Sequence, residues 1–232
     1  MRTNQYALTI SAALATALWI AVVLTTAAEP PDTGPKLLPL PLKLPDPSYK
    51  GTPSELPSGP GIEPLSDKPR APFLAPVGTT NLALHQKVTL SDASPFTGDA
   101  QMVTDGQKEA FDDQVVEMRK VTRYAQIDLG QVCTIYAIAI WHDHRFVQIF
   151  HDVVIQVADD ADFTRNLHTL FNNDMDNSSG LGVGTDREYF ETREGKLIDA
   201  KGVKARYVRA YSKGSTQSAL NVLQEIEVYA MK

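Results

Sequence analysis

Every proline of the chain but Pro95 falls between Pro30 and Pro76, fourteen of the fifteen. Proline fixes φ and has no amide hydrogen to give to a helix or a sheet ladder. A segment such as "PKLLPLPLKLPDPSYKGTP" (35–53) is therefore held to extended, polyproline-like chain. The distribution divides the sequence into a part that resists regular structure and a part, from 77 on, that is nearly free of proline. Residues 29–76 read as a disordered, semi-rigid linker that spaces a domain from a membrane, wall or partner. The alternative is a passive tail draped over the domain. "RAPFLAP" (70–76) carries enough apolar surface for its last residues to dock.

Ahead of the linker, Met1–Gln5 carries one arginine and Tyr6–Leu24 carries no charge. Thr25-Thr26-Ala27-Ala28 then puts small residues at the minus-three and minus-one positions of a cut after Ala28. That order predicts a secretory signal peptide over 1–28. The apolar run, about 19 residues, is also long enough to be retained as a membrane anchor. Either reading exports the rest of the chain, to the extracellular space, the cell surface or a periplasm. Cys133 is the only cysteine, so no intrachain disulfide exploits such a compartment and the core alone holds the domain. Within the apolar run Val132–Ile140 it reads as a buried, inert thiol. A net charge of −6 argues against nucleic acid or an anionic membrane surface as partner.

From Asn81 the texture is that of strands. "YAQIDLG" (124–130) alternates and closes on Gly130; "TIYAIAIWH" (134–142) is β-branched and aromatic; "DVVIQVA" (152–158) ends in the acidic turn "DDADF". "ARYVRAYS" (205–212) and "NVLQEIEVYA" (221–230) alternate again. Short strands with turn signals between them, and no sustained helical period, predict an all-β antiparallel sandwich or barrel in one domain, 77–232.

The same segments carry a resemblance. "NLALHQKVTLSD", "VTDGQKE", "YAQIDLGQVCTIYAIAIWH", "VVIQVADDADFT", "ARYVRAYS" and "EIEVY" occur in the order found in discoidin domains, the coagulation factor V/VIII type C family, and cover roughly 81–230. The resemblance implies a jelly-roll β-sandwich of the galactose-binding type. It also implies a non-catalytic module that binds glycans, lipids or proteins through loops at one end. It further implies a structural calcium ion held by loop carbonyls with Asp105 and Glu225; the alternative is an Asx turn at Asp105 before Gly106 and a solvent-facing strand residue at Glu225. The chain departs from the family in two places. "FDDQVVEM" (111–118) stands where Ser/Thr-x-Trp is usual, and an insertion occupies about 165–200.

The residues themselves suggest where a ligand binds. "WHDHR" (141–145) ends the longest strand near a loop. Trp141 offers a flat face for a pyranose, with His142, His144 and Arg145 donating to hydroxyls. His142 and His144 share a strand face, and with His151 nearby they could instead hold zinc or copper; the competing reading puts Trp141 in the core with the histidines in ordinary loop hydrogen bonds. Arg206 and Arg209 read as structural. In "FNNDMDNSSGLGVG" (171–184), Asp174, Asp176 and Ser178 are spaced two apart with a late Gly180, like the start of a calcium loop without its closing Glu. The competing reading is an ordered turn of self-capping Asn and Asp side chains. Its glycines lack the strand and helix of a nucleotide loop, and Asn177 is a glycosylation acceptor only in a eukaryotic exporter. No nucleophile elbow, zinc helix or P-loop occurs, and Asp112 and Asp113, being adjacent, face opposite ways. The chain is thus expected to be an exported, non-catalytic module for carbohydrate. The alternative is a cell-surface adhesion domain that binds a protein.

Overall fold

The computed structural model describes residues 34–47, 55–66, 68–109 and 111–232. The expected signal peptide or anchor, 1–28, lies outside them. None of the described helices is long and apolar enough to cross a membrane. Pro35–Lys232 forms one compact unit.

Its strands are β1 (Leu37–Pro39), β2 (Leu74–Pro76), β3 (Thr80–Asn81), β4 (Lys87–Leu90), β5 (Val116–Met118), β6 (Arg123–His142), β7 (Val154–Ala158), β8 (His168–Asn172), β9 (Lys196–Ser212) and β10 (Asn221–Met231). β6 and β9 are far longer than the rest because they pair along both of their halves in one 8-stranded sheet. Arg123–Asp128 pairs with Tyr207–Ser212, the ladder breaks, and Cys133–Ile140 pairs with Lys196–Ala205. The first half of β6 takes β4 on its other edge, and β7 and then β8 extend the same sheet beyond β9. The second half of β6 takes β10, which in turn carries β3 and β5. Gly130 sits in the break at φ +82, a backbone region that glycine enters without strain.

Both ends of β6 meet at one end of this sandwich. Ser212, the partner of Arg123, donates its hydroxyl to Asn221 at 3.1 Å, and Asn221 lies two residues from the partner of His142. This end, the rim, gathers the loops 105–115, 143–153, 173–195 and 213–220.

The alternation of "YAQIDLG" survives in the fold. Ala125, Ile127 and Leu129 point into the core, while Tyr124, Gln126 and Asp128 face outward under Arg206 and Arg209. From Ala137 on, β6 is buried on both faces. Ile138 and Ile140 meet Ile226 and Val228 inside, and Ala137, Ala139 and Trp141 join Tyr229 in a second cluster outside.

The cover over that outer cluster corrects the linker expectation. Leu40, Leu42 and Phe73 of the proline-rich segment pack on it together with Leu197. β1 and β2 pair into a small ribbon, extended by the Leu40 amide donating to Phe73 O at 2.9 Å. Farther along, the Arg70 guanidinium donates to Glu194 O and Gly195 O, both at 2.9 Å, and Lys196 pairs with Glu63 at 2.7 Å. The described parts of the segment therefore lie on the sandwich instead of spacing it from something else. Proline forbids ladder donors but not packing, and leucines two apart in extended chain share one face. The compact unit thus takes in the chain from Pro35.

Removing this cover is predicted to destabilise the sandwich. Phe73→Ala should cost about 1–3 kcal/mol, read as a melting temperature several degrees lower. Deleting residues 1–76 should lower it further and promote self-association. A Phe73→Ala protein melting with its parent contradicts the packing.

Candidate functional site at the rim

The "WHDHR" residues do not form the expected sugar platform. Trp141 is 0% exposed, donates Nε1–H to Arg193 O at 2.9 Å and has the Lys108 ammonium 5.0 Å from its ring centre. His142 is buried, stacks on Phe150 at 4.3 Å and pairs through Nδ1 with Glu191 at 3.1 Å. His144 is buried with Nε2 2.8 Å from Lys108 O, and His151 pairs with Glu188 at 2.7 Å. The three histidines thus have separate partners and make no common metal site. The physical reason is the double burial of β6, which continues through its last residues into the loop.

Arg145 does reach the rim. Its guanidinium grips Asp143 with Nε and Nη2 at 2.7 and 2.8 Å and donates Nη1–H to Asp112. Phe146 is half-buried, 5.8 Å from that guanidinium, and Phe111, next to Asp112, is 61% exposed. Phe111 stands in the segment that departs from the family pattern. Its signal was an aromatic beside two acids in a loop. An exposed ring in the same loop as a carboxylate that fixes an arginine gives a surface that can take the apolar face of a sugar while bonding its hydroxyls.

Asp105 and Glu225 are brought together. Glu225 is wholly buried on β10, and both its oxygens face the single donor Gly106 N, at 3.2 and 3.3 Å. Burial, then the Glu227 charge, and to a lesser degree Asp105, push its carboxyl up to about 9. Nearby, Glu227 accepts from Lys108 and Tyr229, while the Gln224 Oε1 atom is buried without a partner. A buried carboxylate short of donors, beside an acidic turn, fits an oxygen-liganded cation such as calcium.

The stretch 171–184 is an ordered, self-capped loop. Asp174 is buried and takes the amides of Ser178 and Ser179 at 2.9 and 2.8 Å, and Asp176 also accepts from Ser178. Burial opposes charge on Asp174, but the Ser179 and Ser178 donors outweigh it and hold its carboxyl below the usual range. Asn177 (φ +57) accepts from Gly182 (φ +103) at 2.7 Å. The fold adds Asp152, whose carboxylate oxygen lies within 4.8 Å of those of Asp174 and Asp176. Lys213 already stands 3.6 Å from Asp152. Elsewhere the structural readings match the geometry. Arg206 forks onto Asp128 at 2.7 and 2.8 Å, Arg209 lies between Tyr124 and Phe163, and Cys133 is buried, its thiol pushed up by burial.

No protein-family model and no curated protein matches the chain. Similar solved structures include chitosan-binding module 1 of a chitosanase/glucanase from Paenibacillus sp. IK-5, at 19% identity over 64% of this chain and 98% of that one, TM-score 0.46. Another is a Clostridium perfringens CBM32 module in complex with GlcNAc-α-1,4-galactose, at 13% identity over 67% and 96%, TM-score 0.47. A third is a Streptococcus pneumoniae fucose binding module, at 20% identity over 66% and 99%, TM-score 0.44.

The Glu225 site sets a pH dependence when divalent cations are chelated. Below about pH 4.5, its usual value, the carboxyl is protonated folded or unfolded and burial is harmless. As pH rises toward 9 the unfolded chain ionises freely while the folded one resists, so stability falls. In chelator the melting temperature should drop from pH 5 to 9 and Glu225→Gln should flatten that slope. Equal slopes in parent and variant would remove Glu225 as the cause.

Proposed function

We propose that this chain is an exported, non-catalytic module that binds carbohydrate through the rim of its sandwich, with Phe111, Asp112 and Arg145 as the contact surface. The observation that carries the reading is the exposed Phe111 ring, next in sequence to Asp112, one of the two carboxylates that hold the Arg145 guanidinium. Such a surface offers stacking and fixed, directional donors and acceptors, the two things a pyranose needs. Export rests on the leader pattern of residues 1–28.

A calcium ion at Asp105 and Glu225 belongs to the same reading. Bound there it supplies a fixed positive charge that offsets the buried Glu225 carboxylate. Asp105 opens the loop that continues to Phe111 and Asp112, so tethering this turn steadies the contact surface.

A glycan array probed with the full chain, with and without chelator, tests the proposal. Phe111→Ala should weaken binding about tenfold, the worth of one aromatic contact, with unchanged melting. Chelator should weaken it as well. Binding that survives Phe111→Ala and Arg145→Ala undiminished, or no binding to any glycan, would overturn the reading.

A further inference from the structure

The insertion meets β7 and β9 at the rim in a cleft of about 450 Å³ lined by His151, Asp152, Asn173, Asp176, Glu188 and Lys213. That is the size of a cleft that takes a small molecule. Two features set its chemistry. Asn173 is 2% exposed, and its Oδ1 is committed to the Val153 amide at 2.6 Å, which fixes the amide's orientation. Its Nδ2 has no partner. A buried amide donor left unmade costs about 1–3 kcal/mol, and a ligand acceptor in the cleft would recover that. Around it stand the carboxylates of Asp152, Asp176 and Glu188, with the buried Asp174 behind them.

A divalent cation does not match this set. The Asp174 oxygens accept amide hydrogens of the loop, and the Lys213 ammonium stands 3.6 Å from Asp152 and 2.8 Å from the Ser178 hydroxyl. A cation also gives Asn173 nothing to donate to. An anion is opposed by the excess of carboxylates over the single lysine. A hydroxyl satisfies both sides, since it accepts from Asn173 and donates to a carboxylate. The side chain of Met175, half exposed on the same wall, gives an apolar surface for the carbon-bound hydrogens of a sugar ring.

We propose that this cleft is a second ligand site, separate from Phe111 and Arg145, that takes a neutral, hydroxyl-rich sugar residue. It rests on the carbohydrate reading for the class of ligand, but its residues come from the insertion and from the starts and ends of β7 to β9. The two sites share one rim. Their loops are tied where Phe150 bridges to Ser215 and Lys213 donates its amide to His151 O at 2.9 Å, so one glycan chain or two can engage both.

Nitrogen-15 NMR of the full chain tests the two sites separately. Galactose, glucose and mannose are titrated as neutral probes, glucuronate as the anionic one and calcium chloride as the cation. The expected result is that at least one neutral sugar shifts the Asn173 side-chain amide and the Ser178–Gly184 backbone amides, with glucuronate at least fivefold weaker. Lys213→Gln and Asp176→Asn, both at the cleft wall, should each weaken those shifts about fivefold and leave the shifts around Phe111 alone. Shifts near Phe111 with a silent Asn173 amide would overturn the cleft and keep the rim surface. Shifts at Asn173 with silence near Phe111 would support the cleft and refute the placement at Phe111. Silence everywhere, equal binding of glucuronate, or calcium chloride moving the cleft amides in place of sugar would each overturn the proposal.

Discussion

From Ala137 to its end β6 has no solvent face, and much of the molecule follows from that. An inner row of Ile138 and Ile140 fills the sandwich, and an outer row of Ala137, Ala139 and Trp141 needs a cover of its own. The cover is the proline-rich segment, whose leucines and Phe73 supply apolar surface without needing ladder hydrogen bonds. Burial then continues past the end of the strand. His142 and His144 reach their partners in Glu191 and Lys108, and the Trp141 indole in Arg193. The insertion and the 105–115 loop are thus each tied to the end of the same strand. The rim is built on a buried floor tied by these hydrogen bonds, which is what keeps its exposed loops in register.

The polar accounts of the protein are unevenly closed. Buried side-chain atoms without a partner occur on Arg123, His144, Asn173, Tyr189, Glu191 and Gln224, all in strand ends or loops at the rim. Buried polar groups in folded proteins are nearly always satisfied, so such a concentration marks the place where water, ions or ligand complete the bonding. The opposite end, where β6 bends at Gly130, has no such group among the described residues.

Much of this was legible in the residues. Alternation in "YAQIDLG" gave a one-sided strand, and the unbroken apolar run 134–141 carried the sign of burial on both faces. Reading Trp141 as a tip aromatic set that sign aside in favour of its position near a loop. β8 and the first half of β9 were hidden because "HTLFN" and "KLIDAKGVK" are short, polar and inside the insertion; only tertiary pairing makes them strands. Proline density spoke truly about hydrogen bonds and misled about packing. In the loop 171–184 the self-capping acids and glycines were recognisable, but Asp152, twenty residues upstream of Asn172, was not, since only the β7–β8 pairing brings it there. Phe111 was passed over because the segment was judged by what it lacks.

Trp141 offers the most direct check on this account, because it is the only tryptophan of the Pro35–Lys232 unit, Trp19 lying before it. Intrinsic fluorescence with acrylamide quenching, measured on residues 35–232 and on residues 77–232, reads its surroundings. Blue-shifted, quencher-resistant emission in the first protein, lost in the second and unmoved by added sugar, is the predicted result. Emission from 35–232 that is already solvent-like, or that shifts when sugar binds, would contradict the account.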